Sequence, residues 1–324
     1  MASWEFGAFV TAAAFGRDGE ALFALGDGTV RGEGGWTAAA HDGAILSAGL
    51  HPSGEGLVTG GDDGRLAWSR NGETSGIAAA PGRWIDAVAA SPASGLIAFA
   101  AGRDLHVRDA ADVAFAARFS HERTVADIAF DPKGRRIAAA TYGGAALWYA
   151  RIKDQKRTML PYAGSHIGVL YSPDGKYLVS AMQENQLHGW RLADSADMRM
   201  GGYPAKVKSM SFLAKGMLMA TAGAEGAVVW PFSGAKGPMG QSAIEIGAQP
   251  GALSTRVAGA PQTTILTAGY DDGRVWVADL KATGVHWAKA EKGAAISALA
   301  MSPDGSRIAW GDEDGQAGVA DVRL

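Results

Sequence analysis

The stretch Ala40–Gly64, AHDGAILSAGLHPSGEGLVTGGDDG, decides the fold of this chain. It holds a short apolar run, a turn at His51-Pro52-Ser53-Gly54, a second short apolar run, and a turn at Asp63-Gly64. Short apolar runs between such turns predict β-strands paired as hairpins, because Asp-Gly adopts the positive φ angles of a tight turn at little steric cost. This stretch therefore predicts an antiparallel β unit.

The proline-containing turn recurs along the chain. Its copies are His51-Pro52-Ser53-Gly54, Ser91-Pro92-Ala93-Ser94-Gly95, Asp131-Pro132-Lys133-Gly134, Ser172-Pro173-Asp174-Gly175 and Ser302-Pro303-Asp304-Gly305. The prolines are 40, 40, 41 and 130 residues apart, and the last interval fits three further repeats. Weaker copies stand near residues 213–216 and 259–262, and Gly16-Arg17-Asp18-Gly19 adds one more. A period of about 40 residues is typical of repeat architectures such as propellers.

A second turn follows each copy of the first. Its members are Asp27-Gly28, Asp63-Gly64, Gly102-Arg103, Gly143-Gly144, Glu184-Asn185, Glu225-Gly226, Asp272-Gly273 and Asp314-Gly315. With the apolar runs between the turns, each unit has four antiparallel strands, which cannot bury both of their faces alone and must stack radially. The sequence predicts an all-β fold with one domain over residues 1–324, an eight-bladed β-propeller, with seven blades as the alternative.

Closure of the ring is predicted from the two ends of the chain. The last unit ends at its third strand, residues 317–323, while the strand-like segment Ser3-Trp4-Glu5-Phe6 opens the chain. We expect this N-terminal segment to complete the last blade. Small residues such as Ala12, Ala13 and Ala14 dominate the innermost strands, as converging strands near a narrow axis require.

Composition narrows the class of function. Hydrophobic residues make up 47% and charged residues 19% of the 324 residues, and the formal net charge is -3. A slightly negative net charge does not attract the phosphate backbone of a nucleic acid, so no nucleic-acid partner is expected. The chain has no cysteine, which excludes disulfides and thiolate metal sites.

The expected location is the cytoplasm. The N-terminal residues lack the basic region of a secretory signal, and no apolar run approaches the roughly 18 residues of a membrane helix. We therefore expect no membrane partner and a monomer when the protein is isolated. The abundance of alanine favours a bacterial source.

The units resemble WD40 repeats. His41 lies eleven positions before Pro52, and His121 has the same offset from Pro132. In that family such a histidine joins a Ser or Thr, the turn Asp and a Trp in a hydrogen-bonded set that holds the blade together. The resemblance implies this structural role for His41, Thr59 and Asp63, and for His121, while Trp148 and Trp190 occupy the family's tryptophan position. Our alignment places Ser69, Arg108, Pro231, Ala278 and Ala320 at that position in other units.

No catalytic constellation is evident. The seven histidines are scattered, the glycine clusters lie in turns between strands rather than before helices, and no Gly-x-Ser-x-Gly motif occurs. We therefore predict a protein that is not an enzyme, with no cofactor and no metal. One alternative is a lactonase-like propeller hydrolase with a metal held by Asp86, Asp127 and His166 at the channel mouth. Another is a periplasmic propeller of the TolB type.

Because no catalytic motif is evident, the exposed surface is the remaining candidate site. The leading hypothesis is a scaffold that binds a protein or peptide partner on one rim of the propeller. In related propellers the loops that enter the inner strands and the second turns share that rim. The candidate partner-binding residues are Arg83, Trp84, Glu122, Arg123, Tyr142, His166, Glu184, Lys206, Tyr270 and Asp271. Exposed Arg, Trp and Tyr are enriched at binding hot spots. The basic stretch Arg151, Lys153, Lys156 and Arg157 is a second candidate, for an acidic partner, with a solvated loop as the alternative.

Overall fold

The computed structural model describes residues 2–324, which form β-strands joined by turns and one short 3₁₀ turn, Ala214–Gly216. The alanine-rich runs are strands in this structure, as their frequent turn residues predict. The strands are β1 (Ala2–Glu5), β2 (Val10–Phe15), β3 (Ala21–Leu25), β4 (Thr29–Gly32), β5 (Thr37–Ala39), β6 (Ile45–Leu50), β7 (Leu57–Gly61), β8 (Arg65–Arg70), β9 (Glu73–Ala79), β10 (Ala87–Ser91), β11 (Leu96–Ala101), β12 (Asp104–Asp109), β13 (Ala116–Ser120), β14 (Asp127–Phe130), β15 (Arg136–Tyr149), β16 (Thr158–Tyr171), β17 (Tyr177–Met182), β18 (Leu187–Arg191), β19 (Ala196–Met200), β20 (Met210–Leu213), β21 (Leu218–Thr221), β22 (Ala227–Pro231), β23 (Ile244–Ile246), β24 (Ser254–Gly259), β25 (Ile265–Tyr270), β26 (Val275–Asp279), β27 (His286–Lys289), β28 (Ile296–Met301), β29 (Arg307–Asp312) and β30 (Gln316–Asp321).

These strands pair antiparallel in sheets that we number along the chain. Sheet 1 is β2–β5, sheet 2 is β6–β9, sheet 3 is β10–β13, sheet 4 is β14–β19, sheet 5 is β20–β23, sheet 6 is β24–β27, and sheet 7 is β28–β30 with β1. The inner strands of neighbouring sheets contact each other, including β28 with β2 across the ends of the chain. The fold is an all-β propeller of four-stranded antiparallel blades, as predicted.

The number of hydrogen-bonded sheets differs from the main prediction. Residues 2–324 form seven hydrogen-bonded sheets, which matches the seven-bladed alternative, whereas eight separate blades were predicted. The difference arises in sheet 4, which has six strands and contains two of the predicted repeat units. There β15 pairs with β14 through Ile137–Ala140 and with β16 from Tyr142 onward, and β16 then pairs with β17 from His166 onward.

Strand pairing that continues from one unit to the next explains why those two units form one sheet. β15 folds back on itself at Gly143-Gly144, whose φ angles are 89° and 138°, as the 2.9 Å bond from the Ala150 N–H to the Arg135 carbonyl shows. The second half of β15 pairs with the first half of β16, and the second half of β16 pairs with β17. β16 is therefore the outer strand of one four-stranded unit and the inner strand of the next.

The N-terminal strand closes the ring, as the sequence predicted. β1 is the outer strand of sheet 7 and pairs with β30 from Ala2 opposite Val319 to Glu5 opposite Gln316. The ring of Trp4 lies 5.9 Å from that of Phe23 in sheet 1, measured between centroids. Residues from both ends of the chain therefore share one sheet and one apolar cluster.

Side chains on the inner strands tie each sheet to the next. Ser297 Oγ donates to the Val10 carbonyl at 2.7 Å, and Thr255 Oγ1 donates to the Ile296 carbonyl at 2.6 Å. Between sheets 2 and 3, Ser47 Oγ accepts from the Val88 N–H at 3.1 Å. These bonds satisfy backbone groups that have no partner within their own sheet, and they hold the walls of the central channel in register.

Apolar residues fill the space between sheets. One cluster joins Phe119 of sheet 3 to Ile128 and Trp148 of sheet 4, and the rings of Phe119 and Trp148 stack at 4.7 Å. Burial of this kind is the main favourable contribution to folding. Within residues 2–324, no helix has the length and apolar character needed to cross a bilayer.

Candidate functional site

One end of the propeller gathers the loops that enter the inner strands and the second turn of each unit. Backbone hydrogen bonds join these two kinds of segment: the His41 N–H donates to the Gly28 carbonyl at 3.1 Å, and the Ile85 N–H donates to the Gly61 carbonyl at 3.0 Å. A similar bond of 2.8 Å runs from Ser254 to Ala224. We call this end the upper face, and it is the rim on which the sequence placed the candidate residues.

Most of the candidate residues are exposed on the upper face. The exposed ones are Arg83, Trp84, Glu122, Arg123, Tyr142, Glu184, Lys206 and Asp271. Trp84 and Tyr142 stand out because 65% and 64% of their surfaces are exposed. A partner-binding role for these side chains remains a prediction.

His166 and Tyr270 lie elsewhere than predicted, because both are buried. Only 1% of the His166 surface is exposed, and its two ring nitrogens lie 2.7 Å from Ser180 Oγ and 3.0 Å from the Tyr162 carbonyl. Tyr270 is fully buried, and its hydroxyl donates to the Gly247 carbonyl and accepts from Trp276 Nε1. Their hydrogen bonds are used inside the blades, so neither side chain is exposed, although His166 borders a cavity of the upper face.

Arg83 belongs to a charged cluster around Asp104. Arg83 Nη1 and Arg118 Nη2 each lie 2.8 Å from Asp104 Oδ2, and Ser120 Oγ donates to Asp104 Oδ1 at 2.7 Å. Burial opposes ionisation of this carboxyl, but the bonds from Ser120, Arg118 and Arg83 lower the pKa of Asp104 to about 2. Arg83 is thereby held in place beside the exposed Trp84.

The upper face also has a shallow cavity of about 500 Å³ whose lining includes Arg123, Thr124, Tyr142, Ser165 and His166. Glu122 pairs with Arg157 at 2.8 Å. Arg123 forms no salt bridge within residues 2–324, so its guanidinium is available beside the exposed ring of Tyr142. Trp84, Arg123 and Tyr142 form what we call the aromatic sector.

The WD40-type hydrogen-bonded set is present in sheet 2, as the resemblance implied. His41 Nδ1 lies 2.9 Å from Asp63 Oδ1, and His41 Nε2 lies 2.9 Å from Thr59 Oγ1. Burial opposes ionisation of Asp63, but bonds from the Arg65 N–H and from His41 lower its pKa overall. This set ties the loop that enters β6 to the second turn of its own sheet.

His121 and Trp148 form a second such contact. Trp148 Nε1 donates to His121 Nε2 at 3.0 Å, and because an indole N–H only donates, Nε2 must be unprotonated. His121 Nδ1 then carries the proton and donates to the Arg103 carbonyl at 3.2 Å. Burial lowers the pKa of His121, which favours this neutral form. Trp190 differs from Trp148, because its buried Nε1 has no hydrogen-bond partner within residues 2–324.

The sequence reasoning missed an equivalent set built on tyrosine. Tyr203 OH lies 2.6 Å from Thr221 Oγ1 and accepts from Trp230 Nε1 at 2.6 Å. Thr221 Oγ1 donates to the Val228 carbonyl, so Tyr203 must donate to Thr221. Trp230 directly precedes Pro231, where the alignment placed the tryptophan position. A search for any hydrogen-bonding aromatic ahead of the inner strand would have found Tyr203.

The residues of the alternative metal site do not assemble into one. Asp127 Oδ2 accepts the Val169 N–H at 2.8 Å, and burial raises the pKa of Asp127 to about 6. Burial also raises the pKa of Asp86. His166 is held by Ser180 and Tyr162, as described above. Within residues 2–324 no group of three or more His, Asp or Glu side chains is placed to hold a metal ion.

The basic stretch after β15 is partly neutralised by acidic neighbours. Arg151 pairs with Asp109 at 2.5 Å, and Arg157 pairs with Glu122. Arg151 also lies over the ring of Phe115, 5.3 Å from its centroid. These contacts favour a solvated loop that is fixed to the neighbouring sheet.

The arrangement of the sheets defines a β-propeller, and comparisons with known proteins indicate which repeat it contains. Residues 36–73 match the family model "WD domain, G-beta repeat", and this segment contains His41, Thr59 and Asp63. The chain is a β-propeller that contains a WD40 repeat at residues 36–73.

Among solved structures, the crystal structure of the computationally designed Ika8 protein superposes with a TM-score of 0.76. The two share 16% sequence identity, and the match covers 98% of each chain. That similarity concerns the fold alone. No curated protein matches the sequence.

Proposed function

We propose that this propeller is a non-catalytic scaffold that binds a protein or peptide partner on its upper face. WD40 propellers are commonly protein-interaction scaffolds. The observation that carries the proposal here is the aromatic sector, where Trp84 and Tyr142 expose 65% and 64% of their surfaces on the same face.

The chemistry of that sector suits a protein partner. Trp, Tyr and Arg combine apolar area with polar tips, and they dominate binding hot spots for that reason. Arg83 is held by Asp104, and Arg123 is unpaired beside the cavity next to Tyr142. The blades beneath hold the backbone that carries these side chains, which reduces the entropy lost on binding.

Differential capture tests the proposal. The tagged full chain is used to recover proteins from a lysate of its source, beside a Trp84→Ala/Tyr142→Ala variant. The matched control is Trp287→Ala/Tyr149→Ala, which removes one exposed Trp and one exposed Tyr outside the aromatic sector. We expect a partner that wild type and control recover equally and that the sector variant recovers at least roughly tenfold less, since hot-spot truncations cost about 2 kcal/mol or more each.

Loss of capture in both variants to the same degree would contradict the proposal, because the effect would then follow loss of exposed aromatic area in general. The same holds if nothing captured depends on Trp84 and Tyr142. Thermal unfolding of each variant establishes that the fold is intact, since exposed substitutions usually change stability by less than about 0.5 kcal/mol.

A further inference from the structure

The upper face has a second cavity, at the mouth of the central channel and on the side of sheets 4 to 7. Its volume is about 530 Å³, within the range of roughly 300–1,000 Å³ that is typical of ligand sites. Basic side chains on its wall are Lys206, Lys208 and Arg256, and apolar contact comes from Phe9 and Ile296. Except for Lys206 and Asp271, this lining was not among the residues singled out from the sequence.

The backbone that carries the two lysines is anchored, and their ammonium groups form no salt bridge within residues 2–324. Val207 between them is fully buried, so the backbone is anchored, and in an extended segment residues on either side of an anchor point the same way. Within residues 2–324 the lysines that form salt bridges are Lys176 and Lys292, so both cavity lysines are unpaired.

Arg256 extends the positive wall into the channel. Its Nε donates to the Ser297 carbonyl at 2.6 Å and its Nη1 to the Thr255 carbonyl at 3.0 Å. These bonds fix the plane of the guanidinium and leave Nη2 without a hydrogen-bond partner in residues 2–324. Burial lowers the pKa of Arg256, although Glu313 opposes that shift. A guanidinium held in this way is prepared for a carboxylate at low entropic cost.

Two carboxylates also line the cavity, on the side of sheets 6 and 7. Asp271 Oδ1 accepts the Leu253 N–H at 2.9 Å, so part of its hydrogen-bonding capacity is used. Glu313 lies near enough to Arg256 to oppose the lowering of its pKa. The two lysines therefore stand apart from the carboxylates, whereas Arg256 shares the side of sheets 6 and 7 with both of them.

We propose that this cavity binds an acidic peptide segment of the partner, with Asp or Glu side chains contacting Lys206, Lys208 and the free edge of Arg256. This inference rests on the proposed function and adds the chemistry of the bound segment. The unpaired ammonium groups gain charge-assisted hydrogen bonds on binding, while Phe9 and Ile296 cover the peptide backbone.

The test uses fluorescence anisotropy of a labelled, end-blocked oligoglutamate peptide with the full-length protein at low ionic strength. An oligoglutamine peptide of the same length is the neutral probe. We expect the acidic probe to bind at least roughly tenfold more tightly, and its affinity to fall as salt is raised through about 0.5 M, because salt screens exposed charges.

Lysine substitutions locate the site. Lys206→Ala/Lys208→Ala should weaken binding of the acidic probe roughly tenfold, whereas Lys133→Ala/Lys281→Ala should change it by less than about twofold. The control removes the same charge from exposed lysines in turns at the opposite end of the propeller. Equal loss in both double variants, or equal affinity for the two probes, overturns the proposal. Competition by free glutamate as effective as that by the peptide also overturns it, in favour of a small-acid site.

The outcome is distinguishable from that of the proposed function. The Trp84→Ala/Tyr142→Ala variant should bind the acidic probe as wild type does, because neither residue lines this cavity. If capture of a partner depends on the aromatic sector while the acidic probe does not bind, this inference fails and the scaffold function stands. If the probe binds through the lysines but no partner is captured, the reverse holds.

Discussion

Tyr203 and Tyr171 differ in hydrogen bonding, so the same substitution at each position tests what the hydrogen bonds of Tyr203 contribute to stability. The Tyr203 hydroxyl joins Thr221 and Trp230, at 2.6 Å from each partner. The Tyr171 hydroxyl is buried and has no hydrogen-bond partner within residues 2–324. Burial raises the pKa of both phenols, so both are neutral at ordinary pH. Substitution by phenylalanine removes one oxygen in each case and leaves the ring in place.

The expected effects have opposite signs. Tyr203→Phe loses two hydrogen bonds and leaves the indole N–H of Trp230 unsatisfied, which costs about 2–3 kcal/mol. Tyr171→Phe removes a polar group whose desolvation is uncompensated, so it should be neutral or stabilising by up to about 1 kcal/mol. For a chain of this length 1 kcal/mol corresponds to roughly 1.5 °C in Tm, so the two variants should differ by about 3–6 °C.

Thermal unfolding followed by circular dichroism, repeated in urea to compare midpoints at constant slope, measures the difference. The double variant controls for coupling, since the two sites should add within about 0.5 kcal/mol. If both variants shift Tm by the same amount in the same direction, burial of the ring rather than hydrogen bonding controls these positions. The assignment of Tyr203 as the counterpart of the family histidine would then be refuted.

Two further predictions concern charge and ring closure. Asp104→Asn should reduce stability at neutral pH and make little difference near pH 2. The pKa of Asp104 is lowered to about 2 in the folded state, so its carboxylate stabilises the fold at pH values above the unfolded-state pKa of about 3.9. That stabilisation is lost as the pH falls through the folded-state pKa. Acid titration of Tm for both proteins measures this, and a difference that stays constant from neutral pH to about 2 would contradict it. Ser297→Ala should cost about 1–2 kcal/mol because it removes the 2.7 Å bond to the Val10 carbonyl that joins sheet 7 to sheet 1, whereas Ser233→Ala on the surface should cost less than about 0.5 kcal/mol. Equal urea midpoints for these two serine variants would show that the bond contributes nothing to ring stability.

Local chemistry was sufficient to predict the units and their closure. A turn such as Asp63-Gly64 needs no distant residue to form, since its φ angles are set by the turn residues themselves. The hydrogen bonds of His41 with Thr59 and Asp63 could be predicted as well, because the partners lie within one repeat and follow a spacing shared by the family. The pairing of β1 with β30 followed from counting, since a final unit of three strands leaves one edge unpaired.

What the sequence could not decide depends on contacts between units. The joining of two units in sheet 4 is a tertiary property, because it depends on the partners of β16, whose first half pairs with β15 and whose second half pairs with β17. His166 and Tyr270 have the polar, aromatic character of rim residues, and only the packed structure shows that their hydrogen bonds are satisfied inside the blades. The cavity of Lys206, Lys208 and Arg256 draws its wall from loops that are distant in sequence. The sequence by itself determined the repeating strands and the turns that join them, because these depend on neighbouring residues, whereas the number of sheets and the binding surfaces were decided by packing around the ring.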